Sequence, residues 1–111
     1  MTRISEVPTE AEEQEALFRW IAFSAAKYPE LLLFSHTPNE GKRSIQNGAM
    51  LKRMGLRSGV PDLHLPVARG KYHSLYIELK RTKGGRVTDK QKWWIEKLNQ
   101  YDNLAVVCYG W

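Results

Sequence analysis

The sequence predicts one α/β domain built around a mixed central sheet. Three observations predict it. Two helical stretches each open on a threonine capping box, the apolar runs between them are short enough for strands, and helices alternate with strands along the chain. At 111 residues the chain has the length of one compact domain. Four Trp, five Tyr and three Phe supply large apolar surfaces for its core.

Residues 1–8 read as a tail that ends in Pro8. Thr9 then caps a helix, with Glu12 three positions on completing the box, and Leu17, Ile21 and Ser24 follow at helical spacing until Tyr28-Pro29 stops it. Leu31-Leu32-Leu33-Phe34 reads as a short buried strand, broken by turn residues at Thr37-Pro38-Asn39-Glu40-Gly41. Residues 44–54 form a short helix that Gly55 ends. Strands are expected over residues 62–67 and 74–80, and the short connection between them makes an antiparallel hairpin. Thr88 caps the next helix, with Gln91 at the capping-box position and Trp94, Ile95, Leu98 and Tyr101 on one face. The run Leu104 to Tyr109 closes the domain as a strand buried on both faces.

Composition removes several classes of function. A single cysteine, Cys108, leaves no internal disulfide and no cysteine-based zinc site, and His36, His64 and His73 lack zinc-ligand spacing. A reducing, cytoplasmic setting follows as the expectation. The N-terminus does not read as a signal peptide, and no run approaches the ~20 apolar residues of a membrane span. The formal net charge is +5, but five of the twelve acids fall within the first fifteen residues, so the body of the chain is strongly basic. Such a body suits a polyanionic partner, usually nucleic acid.

The hairpin concentrates the chemistry. Alternate residues of a strand share a face, so Glu78 and Lys80 project together while Leu79 points to the opposite side. Asp62 opens the paired strand and can lie beside Glu78. Two converging carboxylates are oxygen ligands for a hard divalent cation, Mg²⁺ or Mn²⁺, with the backbone carbonyl of Leu79 as a further donor. Lys80 adds positive charge where a phosphorane would form. The plainer account of the same residues is an exposed ion-pair lattice, which contributes little. On the first helix the apolar line through Leu17 and Ile21 extends back to Gln14, Glu13 and Glu10, and an acid on that line needs a cationic partner. Gln91 either closes its capping box or faces the sheet, and the two roles are compatible. The glycine-containing loop after Glu78 is basic, and Arg81, Lys83, Arg86 and Lys90 are candidates for phosphate contact. Lys42, Arg43 and Arg57, with Lys52 and Arg53, form a second basic group.

These residues carry a family resemblance. Gly59-Val60-Pro61-Asp62-Leu63, then Tyr76-Ile77-Glu78-Leu79-Lys80, then Thr88-Asp89-Lys90-Gln91, resembles the VRR-NUC (virus-type replication-repair nuclease) branch of the PD-(D/E)xK nucleases, over nearly the whole chain. The resemblance implies a restriction-endonuclease-like αβββαβ core and Mg²⁺- or Mn²⁺-dependent phosphodiester hydrolysis. It implies Asp62 and Glu78 as metal ligands, Lys80 as the catalytic lysine and Gln91 as the motif glutamine. Its Glu-x-x-x-Gln spacing fits Glu10 and Gln14, with Glu13 as a competitor. Small stand-alone members, of phage or bacterial type, look similar to Holliday-junction resolvases, which implies a homodimer on branched DNA. The rivals are the same chemistry on flap or duplex DNA, and a catalytically silent DNA-binding module.

Overall fold

The computed structural model describes residues 7–37 and 45–111. Residues 1–6 of the expected tail, the turn over 39–41, Lys42 and Arg43 lie outside the described residues. The elements in order are α1 (Glu10–Ser24), a 3-10 turn (Pro29–Leu33), β1 (Ser35–His36), α2 (Ile45–Arg53), β2 (Leu63–Leu65), β3 (Leu75–Lys80), α3 (Asp89–Gln100) and β4 (Leu104–Tyr109). The strands form one sheet in the order β1-β2-β3-β4. The first two pairings are antiparallel and the last is parallel. The sheet is therefore mixed, as the alternation of elements predicts, and α2 is inserted between its first two strands.

Both helix starts follow from local chemistry. Thr9 Oγ1 accepts the Glu12 amide at 3.1 Å and Glu12 Oε1 accepts the Thr9 amide at 2.9 Å. At α3 the same exchange joins Thr88 and Gln91, at 3.1 and 2.8 Å. Each box satisfies two amides that a helix start would otherwise leave without partners.

Two elements correct the sequence expectation. The run Leu31 to Phe34 is not a buried strand. Pro29 presets a helical φ at the first position, and amide bonds from Leu31 to the Tyr28 carbonyl and from Phe34 to the Leu31 carbonyl wind the segment as a 3-10 turn. With three residues per turn, Leu31 and Phe34 share the inner side, where Phe34 meets Phe18 edge to face, while Leu32 and Leu33 face outward at 69% and 54% exposure. Pairing with β2 is left to two residues, Ser35 and His36. β4 likewise is not buried on both faces. It is an outer strand with β3 on one side only, and Ala105 is its one buried residue. An unbroken apolar run does not distinguish an inner strand from an outer one covered by a helix. Here α3 supplies the cover, and the Asn99 side-chain amide closes both backbone groups of Ala105 at 3.0 Å, which blunts the open edge.

The hairpin register sets up the site. Leu63 lies opposite Ile77 and His64 opposite Tyr76, and the His64 and Tyr76 rings stack at 4.2 Å. Continuing that register one step places Asp62 opposite Glu78. The turn is tight, with Arg69 and Tyr72 exchanging backbone bonds across Gly70-Lys71 and Gly70 at φ +57°.

The core is small. Ile21, Leu63, Leu79 and Ala105 are buried hydrophobic residues, and Glu13, Ser74, Glu78 and Lys80 are buried beside them. Charged groups thus occupy space that apolar side chains fill in most domains of this size. No helix among the described residues is long and apolar enough to cross a membrane. Denaturant titration of two leucine variants separates this fold from the sequence expectation. Leu63→Ala should cost about 2–5 kcal/mol, the usual range for a fully buried leucine. Leu32→Ser should stay within about 0.5 kcal/mol, because that side chain already faces solvent. A large loss at Leu32 would restore the buried-strand reading.

Candidate active site

Three segments bring the candidate residues together. β3 carries Glu78 and Lys80, and both side chains are buried although they face away from Leu79. The segment before β2 carries Asp62. The first turn of α3 carries Gln91. All of them, with Glu10 of α1, line one cavity of about 480 Å³.

The position of Asp62 is set twice over. Its Oδ2 accepts the Leu79 amide at 3.1 Å and its carbonyl accepts the Thr37 amide at 2.7 Å. Upstream, the 58–60 segment is pressed against the start of α3. The Trp94 indole N–H donates to the Ser58 carbonyl at 2.9 Å. Gly59 has φ +89°, and a Cβ there would stand 2.8 Å from the Lys90 carbonyl carbon and Cβ. Only glycine allows that approach at that φ. The Gly-x-Pro-Asp order is thus a docking device: glycine seats the segment on α3, Pro61 is buried, and Asp62 emerges opposite Glu78.

Glu78 divides its two oxygens. Oε2 accepts the Gln91 amide at 3.1 Å and lies 3.3 Å from Lys80 Nζ. Oε1 is buried and accepts from no donor among the described residues, and the Asp62 carboxylate is close enough to share a hydrogen bond with the Glu78 carboxyl when that group holds a proton. Burial, and after it the negative charge of Asp62, push the Glu78 carboxyl up to about 7 against the pull of Lys80. Two carboxylates that resist joint ionisation, one with an unpartnered buried oxygen, form a donor set suited to a hard divalent cation. Asp62 and Glu78 are the close pair. No cluster of three or more acidic, histidine or cysteine side chains suited to a metal ion is present among the described residues.

Gln91 fills both roles that its sequence position allowed. Its Oε1 closes the Thr88 capping box while its Nε2 reaches Glu78. Glu10 and Glu13 separate. Glu10 lines the cavity. Glu13 turns to the end of β4, where its Oε1 accepts the Trp111 amide at 3.2 Å and its carboxylate lies beside Gly110. Glu10 is exposed at the cavity edge, whereas Glu13 is the buried acid of α1 and finds its partner in the Trp111 amide; helical residues three apart differ by about 60° in direction, so the packed fold separates them.

The basic candidates also separate. Arg57 and Lys90 line the cavity rim and are exposed. Lys83 and Arg86 are exposed on the loop before α3, outside the cavity lining. Arg81 is half-buried, with one guanidinium nitrogen 3.4 Å from the Val7 carbonyl and its Nε buried without a hydrogen-bond partner among the described residues. Gly85, in the glycine-containing loop, lies against Lys80 itself, since a Cβ there would lie 2.9 Å from the lysine Cβ. The loop therefore covers the lysine stem. Sequence reading missed Thr37, which lines the cavity and carries no motif signal, and the seating role of Gly59, for which a glycine two residues before a proline was the signal.

The model for the VRR-NUC domain family matches residues 8–111. A solved structure of a VRR_NUC domain protein is similar to this chain at 33% identity and a TM-score of 0.76, over 95% of this chain and 80% of that one. No curated protein matches the sequence. The mixed four-stranded sheet with its helices is the restriction-endonuclease-like core that the resemblance implied.

The raised Glu78 carboxyl sets the pH behaviour of the metal-free chain. The folded chain holds that proton up to about pH 7, while the unfolded chain releases it near 4.5. Its contribution to stability is full below 4.5 and is lost as pH rises through 7, on the order of a few kcal/mol. Thermal melts in a chelating buffer should show this fall, and Glu78→Gln should flatten it. An unchanged pH slope in that variant would remove Glu78 as the group responsible.

Proposed function

Because the chain belongs to the VRR-NUC domain family, nucleases of the PD-(D/E)xK type, we propose that it is a structure-selective DNA endonuclease dependent on Mg²⁺ or Mn²⁺. The observation that carries the metal reading is Glu78 Oε1, buried and unpartnered beside Asp62. Asp62, Glu78 and the Leu79 carbonyl would hold the ion, with Glu10 reaching it from the cavity wall. Such an ion, when bound, polarises the phosphate and makes an attacking water more acidic.

The residues divide the remaining work. Lys80, held on the site face by its own strand and covered by the 81–87 loop, presents its ammonium to the charge that develops on the phosphoryl oxygens. Gln91 keeps Glu78 Oε2 in place, so that Oε1 stays turned to the ion. Arg57, Lys90 and the capped start of α3 favour an anionic backbone at the cavity mouth. Lys83 and Arg86 extend the basic rim, and Lys42 and Arg43 are proposed with them from sequence alone. A homodimer acting on branched DNA, in the manner of a junction resolvase, is supported by the small core and by large apolar side chains left in solvent, with Phe23 88% exposed.

Cleavage of labelled four-way junction, flap and duplex DNA tests this. Cutting should require Mg²⁺ or Mn²⁺. Asp62→Asn, Glu78→Gln and Lys80→Ala should each lower the rate by about 100-fold or more. Glu10→Gln should lower it by about 10-fold through weaker ion binding, and Glu13→Gln should leave it within about 3-fold. Absence of cutting on all three DNAs with both ions would overturn the enzyme assignment, and a larger loss at Glu13 than at Glu10 would exchange their roles. Sedimentation should show a dimer at micromolar concentration, and a monomer throughout would remove the paired-site arrangement.

A further inference from the structure

The active-site cavity continues beyond the metal-binding residues. A second cavity of about 500 Å³ shares Arg57, Ser58 and Lys90 with the first and extends to Lys52, Trp93 and Trp94. The two meet where Gly59 is pressed against Lys90, so this close contact forms the step between them.

The second cavity is basic and aromatic together. Lys90, Trp93 and Lys97 lie along one ridge of α3 at three- and four-residue spacing, and Lys97 Nζ stands 6.0 Å from the Trp93 ring centre. Lys52 comes from α2 and Arg57 from the segment that follows it. Trp93 is 54% exposed, although a tryptophan in a small domain with so few buried apolar residues would ordinarily be drawn inward. Its neighbour Trp94 is fixed, half-buried with its indole N–H on the Ser58 carbonyl. The two rings meet nearly at right angles, 5.7 Å apart. Trp94 thus backs Trp93, and a ring held in this way loses little freedom when a planar ligand stacks on it.

We propose that this second cavity binds an unstacked nucleobase of single-stranded DNA on Trp93, with the flanking phosphates on Lys52, Arg57 and Lys90, next to the cleavage site. Three cations line the cavity together with an exposed aromatic ring, which is the pairing of phosphate and base contacts that single-strand binding uses. A base inside a continuous duplex has both faces covered by its neighbours and offers nothing to Trp93. The preferred substrate is therefore branched DNA with unpaired nucleotides beside the scissile bond. The inference rests on the nucleic-acid-binding part of the nuclease reading, but not on its metal or its chemistry.

Binding measured without turnover tests it. The full chain, in a chelating buffer, is titrated with labelled oligothymidylate of about ten nucleotides and with a duplex of the same length. Trp93→Ala should weaken oligothymidylate binding by about 5- to 100-fold and duplex binding by less than about 2-fold. Trp93→Phe, which keeps a stacking face, should stay within about 3-fold of the parent on both. An abasic strand of the same length should bind the parent and Trp93→Ala alike. Equal losses on single strand and duplex, or no loss on either, would overturn the assignment. So would a Trp93→Ala chain that binds normally but no longer sediments as the parent does, since the ring would then serve contact between copies. The two readings fail separately. Selective loss of single-strand binding without cleavage under any ion would keep this site and remove the nuclease reading, and metal-dependent cleavage with unaltered oligonucleotide binding would do the reverse.

Discussion

Glu78 is 1% exposed in a domain with few fully buried apolar residues, and much of the structure serves that one carboxylate. Burying a carboxylate without partners costs several kcal/mol. Lys80 and Gln91 offset part of that cost at one oxygen. Asp62 adds to it, because a second negative charge opposes the first. The net effect is a group that stays protonated toward neutrality in the metal-free chain, and that a divalent cation would ionise. Stability is given up at this point in the fold to keep that carboxyl buried beside Asp62.

The supporting shell follows from that constraint. Each of the three residues around Glu78 is also held by a contact elsewhere. Gln91 is locked by its capping box, Asp62 by the Leu79 and Thr37 amides, and Lys80 by the Gly85 backbone over its stem. Two glycines act here through what a Cβ would strike rather than through flexibility. Gly59 lets the Asp62 segment touch α3, and Gly85 lets the basic loop touch Lys80. The same Gly59 contact marks the boundary between the cavity at the carboxylates and the aromatic groove beyond it, so the two cavities share one structural joint.

Much of this was legible in the sequence, for reasons of range. Capping boxes are exchanges between residues three apart, and both were readable as Thr9 with Glu12 and Thr88 with Gln91. Strand alternation placed Glu78 and Lys80 on one face, and the short connection to residue 75 made the pairing of β2 with β3 antiparallel. The run Leu31 to Phe34 was misread because apolar composition outweighed Pro29, whose fixed φ begins a helical turn. The burial of β4 was misread because an apolar run does not report whether both faces of a strand are covered.

By itself, then, the sequence determined the α/β class, both helix starts, the hairpin, and the shared face of Glu78 and Lys80. All of these depend on contacts within a few residues or on the two-residue period of a strand. The tertiary structure alone decided that Glu10 lines the cavity while Glu13 is buried against the end of β4, that Arg81 is half-buried beside Val7, and that Trp93 stays in solvent beside Arg57 and Lys90. Those outcomes turn on which way a side chain points once distant segments have packed, and no local pattern carries that direction.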